Sequence, residues 1–158
     1  MDSFRASLKI EHRDLLFSMH DDEMLDDGFE RLQSLQDNDN PNFLAETINI
    51  FCTEMDRVLL QIDSHFERDV MDFSYMEIVV HNLKGSISSV GACKVLNSCV
   101  YLRDAIRNND QDRSMRAFNR MKIEYYTIRS KFQTLLELES RMRDCQTTIS
   151  NQSASRDS

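Results

Sequence analysis

The sequence has very little glycine and proline. It contains three glycines, one proline and no tryptophan in 158 residues, whereas average usage predicts roughly 11 glycines and about 8 prolines in a chain of this length. Hairpins and tight loops between strands depend on the backbone angles that these two residues supply. Their scarcity argues against a sheet-rich fold and predicts an all-α protein.

Long apolar runs are also missing from the sequence. No segment approaches the roughly 18 consecutive apolar residues of a membrane-spanning helix, and residues 1–20 are charged throughout, without the apolar block of a signal peptide. Hydrophobic residues nevertheless make up 41% of the chain, which is too many for a chain that is disordered throughout. We therefore expect a soluble intracellular protein that does not associate with membranes.

Acidic residues outnumber basic residues by 27 to 19, and the formal net charge is −8. Affinity for nucleic acids comes largely from Lys and Arg side chains that neutralise phosphates, so direct nucleic-acid binding is not expected. The four cysteines and four histidines form no C-x-x-C or H-E-x-x-H spacing. We therefore expect reduced thiols, no metal site and no cofactor.

Amphipathic segments with apolar residues three and four positions apart fill most of the chain. Residues 4–20 form the first predicted helix, and Asp26 and Asp27 are candidate caps of a short second helix. The third helix is predicted to begin at Pro41 with Asn40 as its cap, since proline is favoured at the first helical position.

The fourth predicted helix begins at a capping-box pattern, Ser74-x-x-Glu77, and ends at Gly91, which we expect in the left-handed conformation. A shorter fifth helix covers residues 95–106, and a long sixth helix approaches a heptad seam over residues 118–142. Short polar loops between these helices predict an antiparallel four-helix bundle. The two additional N-terminal helices are then expected to cap or flank the bundle.

We assign residues 1–144 to a single helical domain. Residues 145–158 lose the helical periodicity and are expected to form a disordered C-terminal tail. A coiled-coil oligomer is an alternative for amphipathic stripes, but only the last helix keeps a near-heptad repeat. We therefore expect a monomer.

The outer face of the fourth helix carries unusually small residues. At about 100° per residue, His81 lies about 160° from Leu83, opposite the apolar stripe. Exposed helix positions are normally Glu, Lys, Gln or Arg, yet Gly85 lies here and costs the helix about 0.8–1 kcal/mol relative to Ala. Lys84 lies at the flank. A bare surface of this kind lets another protein approach the imidazole closely. The residues predicted to share this face with His81 are Ser74, Glu77, Gly85, Ser88 and Ala92.

A neutral imidazole is a nucleophile that can accept a phosphoryl group. The sequence shows no catalytic triad spacing, no Gly-rich phosphate loop and no evident set of carboxylates for Mg²⁺, so a partner would have to supply that chemistry. The alternative is an ordinary solvated histidine, which describes most exposed histidines. Gly85, one turn after His81, and Lys84 beside it favour the functional interpretation.

Residues 80–92, VHNLKGSISSVGA, resemble the signature H-x-L/F-K-G-S-x-x-S-I/V-G-A of plant-type histidine-containing phosphotransfer (HPt) proteins. Residues 32–37 and 41–43 and the segment around Arg103 are also similar to that family, so the resemblance spans about residues 20–140. It implies a carrier in a multistep phosphorelay, which takes a phosphoryl group from the receiver domain of a hybrid histidine kinase and passes it to a response regulator. In plants such proteins act in cytokinin and related signalling, in the cytoplasm and nucleus.

The resemblance implies that His81 is the phosphorylated nucleophile and that Lys84 and Arg103 are the basic side chains near the phosphoryl group. Gly85 matches the glycine that admits the receiver domain. The second helix is expected to extend the interface, with the alternative that Phe29 and Leu32 belong to the core. The predicted docking residues are Gly85, Ser86, Ser88 and Ser89, together with Leu25, Phe29, Leu32 and Gln36 on the second helix.

The sequence departs from the family pattern at two positions. Asn82 stands where the plant family usually has Gln, and Ile87 stands where a small residue is common. Either difference could alter local hydrogen bonds or partner choice. Two alternatives to a carrier therefore remain: a receiver-binding adaptor or decoy that does not relay phosphate efficiently, and a structural bundle with an incidental histidine.

Overall fold

A computed structural model describes the backbone of residues 2–156 and the side chains of residues 3–146. Within residues 2–156 the chain forms helices and no strands, so the all-α prediction is confirmed. None of the helices described is both long enough and apolar enough to cross a membrane. The helices are α1 (Asp2–Asp21), α2 (Asp27–Ser34), α3 (Phe43–Phe66), α4 (Phe73–Ser89), α5 (Cys93–Arg107) and α6 (Gln111–Arg156).

Helices α3 to α6 form the predicted four-helix bundle. Short loops join them, and the contacts between α3 and α4, α4 and α5, α5 and α6, and α3 and α6 close the bundle. The first two helices are added to it, as expected: α1 packs along α6, and α2 packs against α4.

Aromatic rings fill the centre of the bundle. The ring of Phe132 on α6 stacks on Phe29 of α2 with a centroid distance of 5.7 Å and meets Phe51 of α3 edge-on at 6.4 Å. The buried hydroxyl of Tyr125 donates a hydrogen bond to Asp56 Oδ1 at 2.7 Å. Burial and this hydrogen bond raise the pKa of Tyr125 far above its usual range, so the phenol stays neutral and the polar group is satisfied inside the core.

The predicted ends of α2 and α4 are partly confirmed. Asp26 caps α2, with its Oδ1 accepting a hydrogen bond from Gly28 N at 2.8 Å. Gly91 follows α4 with a positive φ of 69°, as predicted. The predicted start of α4 was wrong. Asp72, rather than Ser74, is the cap, because its Oδ1 accepts a hydrogen bond from Tyr75 N at 3.1 Å.

The predicted start of α3 at Pro41 was also wrong. The helix begins at Phe43, and Asn42 occupies the capping position without a side-chain hydrogen bond. The preceding residues form a separate turn, in which Asp37 Oδ1 accepts hydrogen bonds from the backbone N of Asp39 and Asn40. The helix follows this turn, and Glu46 N donates to the carbonyl of Asn42 at 2.9 Å in its first turn.

The expected boundary at residue 145 does not correspond to a helix end. Helix α6 continues through Arg156, and Cys145 is buried with Leu8 and Leu138 in a small hydrophobic cluster between α1 and α6. Arg5 also donates a hydrogen bond to Gln146 Oε1 at 3.3 Å. Packing against α1 therefore stabilises the helix beyond the periodic part of its sequence. Residues 157–158 of the expected tail, and the side chains of residues 147–156, lie outside the described part of the chain.

Candidate functional site

Helix α4 presents His81 on its exposed face. Val80, Leu83 and Ile87 are at most 1% exposed and pack into the core, so the residues on the opposite side of the helix point outward. His81 and Lys84 are both exposed. The apolar stripe therefore fixes the orientation of α4 and holds the imidazole at the surface, as the sequence predicts.

An open depression of about 400 Å³ surrounds the imidazole, lined by His81, Asn82, Lys84, Gly85 and Ser88. A Cβ added at Gly85 would meet no described atom within 4 Å outside its chain neighbours and the nearby helix backbone. The glycine is therefore not required by packing within the chain. Because glycine has no side chain, the surface next to His81 stays open.

The three serines after Gly85 occupy different environments. Ser88 and Ser89 are exposed, whereas Ser86 is half-buried. Ser89 Oγ donates a hydrogen bond to the carbonyl of Ser86 at 2.7 Å, which ties this hydroxyl to its own helix. Ser88 is the serine that lines the depression with His81.

The two departures from the family pattern differ in position. Asn82 is exposed and lines the depression with His81. Ile87 is fully buried, so its side chain packs in the core and does not reach the surface around the imidazole. Of the two, Asn82 is therefore the residue that a docking partner would meet directly.

A cluster of charged side chains lies beside the depression. Glu77, one helical turn before His81, accepts a hydrogen bond from Arg107 Nε at 2.7 Å and lies 4.0 Å from Arg103 Nε. The hydrogen bond from Arg107 is the main cause that lowers the pKa of Glu77. Arg103 thus lies next to Glu77 of α4, and its expected role beside a phosphoryl group on His81 stays a prediction.

The pairing of Glu77 with Arg103 and Arg107 was not predicted from the sequence. Arg107 was not singled out at all, although it lies one turn after Arg103 on α5. Ile78, an apolar side chain that is 63% exposed and lies about one turn before His81, was not singled out either.

Most of the docking residues predicted on the second helix are not at the surface. Leu25, which precedes α2, and Phe29 and Leu32 are 4%, 0% and 6% exposed and belong to the main hydrophobic core. For Phe29 and Leu32 the alternative interpretation as core residues was therefore the right one, and the docking role expected for Leu25 was wrong. Gln36 is half-buried, and its Oε1 accepts a hydrogen bond from Leu44 N at 2.9 Å. Its amide therefore caps α3, whose own capping residue makes no side-chain hydrogen bond.

Ala92 was also wrongly placed on the outer face. It follows the end of α4 and is 1% exposed, because the chain reverses at Gly91 and returns Ala92 to the core. Among the side chains of residues 3–146, no group of three His, Cys, Asp or Glu is arranged to hold a metal ion.

Comparison with known proteins identifies the family. The Hpt domain family matches residues 46–149, and the chain therefore belongs to the histidine-containing phosphotransfer family.

Individual relatives are plant proteins. The chain is 36% identical to histidine-containing phosphotransfer protein 1 of Oryza sativa, over 77% of this chain and 83% of the rice protein. It is 35% identical to histidine-containing phosphotransfer protein 1 of Arabidopsis thaliana, over 75% of this chain and 77% of that protein. The relatives also include pseudo histidine-containing phosphotransfer protein 5 of rice, which is 31% identical over 84% of this chain and 88% of its own length.

Solved structures agree with this assignment. The crystal structure of a histidine-containing phosphotransfer protein from maize aligns with a TM-score of 0.82 and 35% identity, covering 85% of this chain and 99% of the maize chain. A homologous structure from Medicago truncatula aligns with a TM-score of 0.83 and 27% identity, covering 87% and 94% of the two chains.

Proposed function

We propose that this chain is a phosphorelay carrier. His81 accepts a phosphoryl group from the receiver-domain aspartate of a hybrid sensor histidine kinase and passes it to an aspartate of a response regulator, in signalling of the cytokinin type. The observation that carries the proposal is the position of His81, which is exposed in an open depression next to Gly85. A convex receiver surface can reach the imidazole there without displacing a side chain.

The transfer needs little from this chain beyond the nucleophile. The unprotonated ring nitrogen of His81 attacks the phosphorus of the aspartyl phosphate and forms the N–P bond. The P–O bond to the aspartate breaks, and the carboxylate leaves with the electron pair. Transfer to the second receiver reverses these steps. The receiver supplies the Mg²⁺ that balances charge on the moving group, so this chain acts as a carrier and not as an enzyme.

Other residues of α4 and α5 assist. Lys84 and Arg103 stabilise the negative charge of the phosphoryl group. Lys84 lies three residues after His81 and lines the same depression, and Arg103 lies on α5, which packs against α4. Gly85, Ser88 and Ser89 form the docking surface, with Ser86 set back behind them. We further propose that the protein acts as a monomer in the cytoplasm and nucleus, and its net charge of −8 disfavours direct contact with DNA.

The proposal is tested by transfer of label from a receiver domain. A ³²P-labelled hybrid-kinase receiver is incubated with the full chain and Mg²⁺, and the label is expected on the wild type and not on His81→Gln. A matched control is His20→Gln, which removes a part-exposed histidine of α1 and is expected to accept label like the wild type. Absence of label on the wild type, or equal labelling of His81→Gln, contradicts the proposal.

An adaptor or decoy remains the second candidate, because Asn82 lines the depression at a position where the plant family usually has Gln. A receiver that binds equally well to wild type and His81→Ala, with no label transferred to either, favours this function. Asn82→Gln then serves as the informative variant. Recovery of transfer in that variant would assign the defect to the shorter amide.

A further inference from the structure

The carboxylate of Glu77 lies one helical turn before His81 and is shared by two arginines of α5. Arg107 Nε donates to Glu77 Oε1 at 2.7 Å, and Arg103 Nε lies 4.0 Å from the same oxygen. Residues four positions apart on a helix have Cβ atoms about 5–6 Å apart. The two guanidinium groups therefore meet at a carboxylate whose residue lies one helical turn before His81.

Arg103 has an unused hydrogen-bond donor. Among the described side chains, the Nε of Arg103 is buried and has no hydrogen-bond partner, since 4.0 Å from Glu77 is too long for a hydrogen bond. A buried donor without an acceptor is costly. A phosphoryl group brings three acceptor oxygens and close to two negative charges, and is therefore a stronger partner for a guanidinium than one carboxylate.

We propose that Glu77 is a positioning residue that competes with the phosphoryl group on His81 for Arg103 and Arg107. Before transfer, the carboxylate holds the two arginines beside the imidazole. After transfer, the arginines exchange Glu77 for the phosphoryl oxygens, and the released carboxylate repels the phosphoryl group one turn away. Glu77 thus weakens the hold of His81 on the phosphoryl group and keeps that group transferable. This inference rests on the proposed function, because it concerns phosphorylated His81.

The charge that the proposal requires is present at neutral pH. Arg107, and to a smaller extent Arg103 and His81, lower the pKa of Glu77, so its side chain is a carboxylate there. Arg107 is 54% exposed in its side chain, which leaves its guanidinium free to rotate toward a new acceptor. The side chain of Arg103 is only 21% exposed, so its guanidinium has less room to move than that of Arg107.

The test uses a small phosphoryl donor in place of a receiver. N-phosphoimidazole is equilibrated with the full chain: a nitrogen of His81 attacks the phosphorus, the N–P bond of the donor breaks, and imidazole leaves. Because one imidazole replaces another, the equilibrium constant reports the intrinsic hold of His81 on the phosphoryl group. The populations of free and protein-bound phosphoryl groups are measured by ³¹P NMR, and His81→Gln identifies the signal of His81.

Glu77→Gln is expected to shift this equilibrium toward phosphorylated His81 by roughly threefold to tenfold at low salt. At about 0.5 M salt the shift falls below about twofold, because charge interactions at the surface are then screened. Glu77→Asp, which keeps the charge, stays closer to the wild type than Glu77→Gln does. The matched control is Asp104→Asn, which removes an exposed ion pair of the same 2.7 Å length, with Arg113, and leaves the equilibrium unchanged.

A second readout follows the arginines directly. In wild-type protein, the Nε–Hε NMR signals of Arg103 and Arg107 are expected to move when His81 is phosphorylated, while the signal of Arg113 stays in place. A merely structural role of Glu77 would change stability without this exchange of partners.

Three results overturn the inference: a shift in Glu77→Gln no larger than in Asp104→Asn, a shift in the opposite direction, or arginine signals that do not move on phosphorylation. Failure of phosphoimidazole to label His81 also counts against it, because the proposal requires an accessible imidazole beside the arginines. No receiver takes part in this experiment. A chain that relays phosphate but shows no shift therefore refutes this inference alone, and a chain that shows the shift without relaying refutes only the proposed function.

Discussion

Gly28 and Gly91 face each other where α2 begins and α4 ends. A Cβ added at Gly28 would lie 3.2 Å from Gly91 Cα and 2.8 Å from Asp26 Oδ1, and a Cβ added at Gly91 would also lie 2.8 Å from Asp26 Oδ1. Asp26 N donates a hydrogen bond to the carbonyl of Gly91 at 2.9 Å. This close backbone contact attaches α2 to the end of the helix that carries His81.

Replacing Gly91 by Ala is expected to lower the free energy of unfolding by about 2–4 kcal/mol. The positive φ of 69° alone costs a residue with a Cβ about 1–2 kcal/mol, and the clash with the backbone of α2 adds to it. Urea unfolding of the variant and the wild type measures the difference. A loss below about 1 kcal/mol would show that the contact between α2 and α4 adjusts easily.

Gly85, unlike Gly91, has room for a side chain, because an added Cβ would meet no described atom within 4 Å outside its chain neighbours and the nearby helix backbone. Gly85→Gln is expected to raise the free energy of unfolding by about 0.5–1 kcal/mol, since Gln is a better helix former, and to weaken binding of a receiver domain at least roughly tenfold through steric obstruction. Ser130→Gln, at an exposed position of α6, is the control and leaves binding unchanged. Unimpaired receiver binding by Gly85→Gln would remove this face of α4 from the interface.

The apolar stripes of the helices could be predicted because burial imposes a period of 3.6 residues on the sequence. The same periodicity placed His81 and Gly85 on the surface of α4 correctly, since Leu83 and Ile87 fix the opposite face in the core. Local signals were less reliable at helix ends. Asp72 and Ser74 are both good caps, and only the path of the preceding loop decides between them.

Contacts between distant segments could not be predicted in this way. Phe29 lies on a short helix whose apolar side could face either a partner or the bundle, and the answer depends on its stacking with Phe132 of α6. The pairing of Glu77 with Arg107 likewise joins residues on two different helices. The sequence contains both charges but not the packing of α4 against α5 that brings them together.

The protein is expected to lose stability at alkaline pH because the thiol of Cys99 is buried. Burial raises its pKa from 9.0 to about 11, and its Sγ donates to the carbonyl of Val80 at 3.7 Å. Above pH 9 the unfolded chain loses this proton while the folded chain keeps it, so the free energy of unfolding falls as the pH rises toward 11, by up to about 2 kcal/mol.

The contribution of Cys99 is isolated with Cys99→Ala. This variant is less stable than the wild type at pH 8, because it leaves a small cavity, but its stability is expected to fall less steeply between pH 9 and pH 11. Urea unfolding across this range measures both slopes. Parallel slopes would mean that the thiol titrates alike in the folded and unfolded chains.

Leu8 tests the packing that extends α6 beyond the bundle. Leu8→Ala removes a side chain that is 3% exposed from the cluster with Leu138 and Cys145, and is expected to destabilise the protein by about 2–3 kcal/mol. Amide hydrogen exchange should accelerate in residues 138–146 more than in residues 118–135, which pack in the main core. Equal acceleration in both segments would contradict an independent role for this cluster.

The most direct test of the carrier function follows one labelled phosphoryl group through two receivers. A ³²P-labelled hybrid-kinase receiver, the full chain and an unlabelled response-regulator receiver are mixed with Mg²⁺ and sampled over time. Label is expected first on the chain, as an acid-labile and alkali-stable phosphohistidine at His81, and then on the second receiver, with neither species formed by His81→Gln. Label that reaches the second receiver equally fast with His81→Gln, or that never leaves the first receiver, would contradict the carrier function.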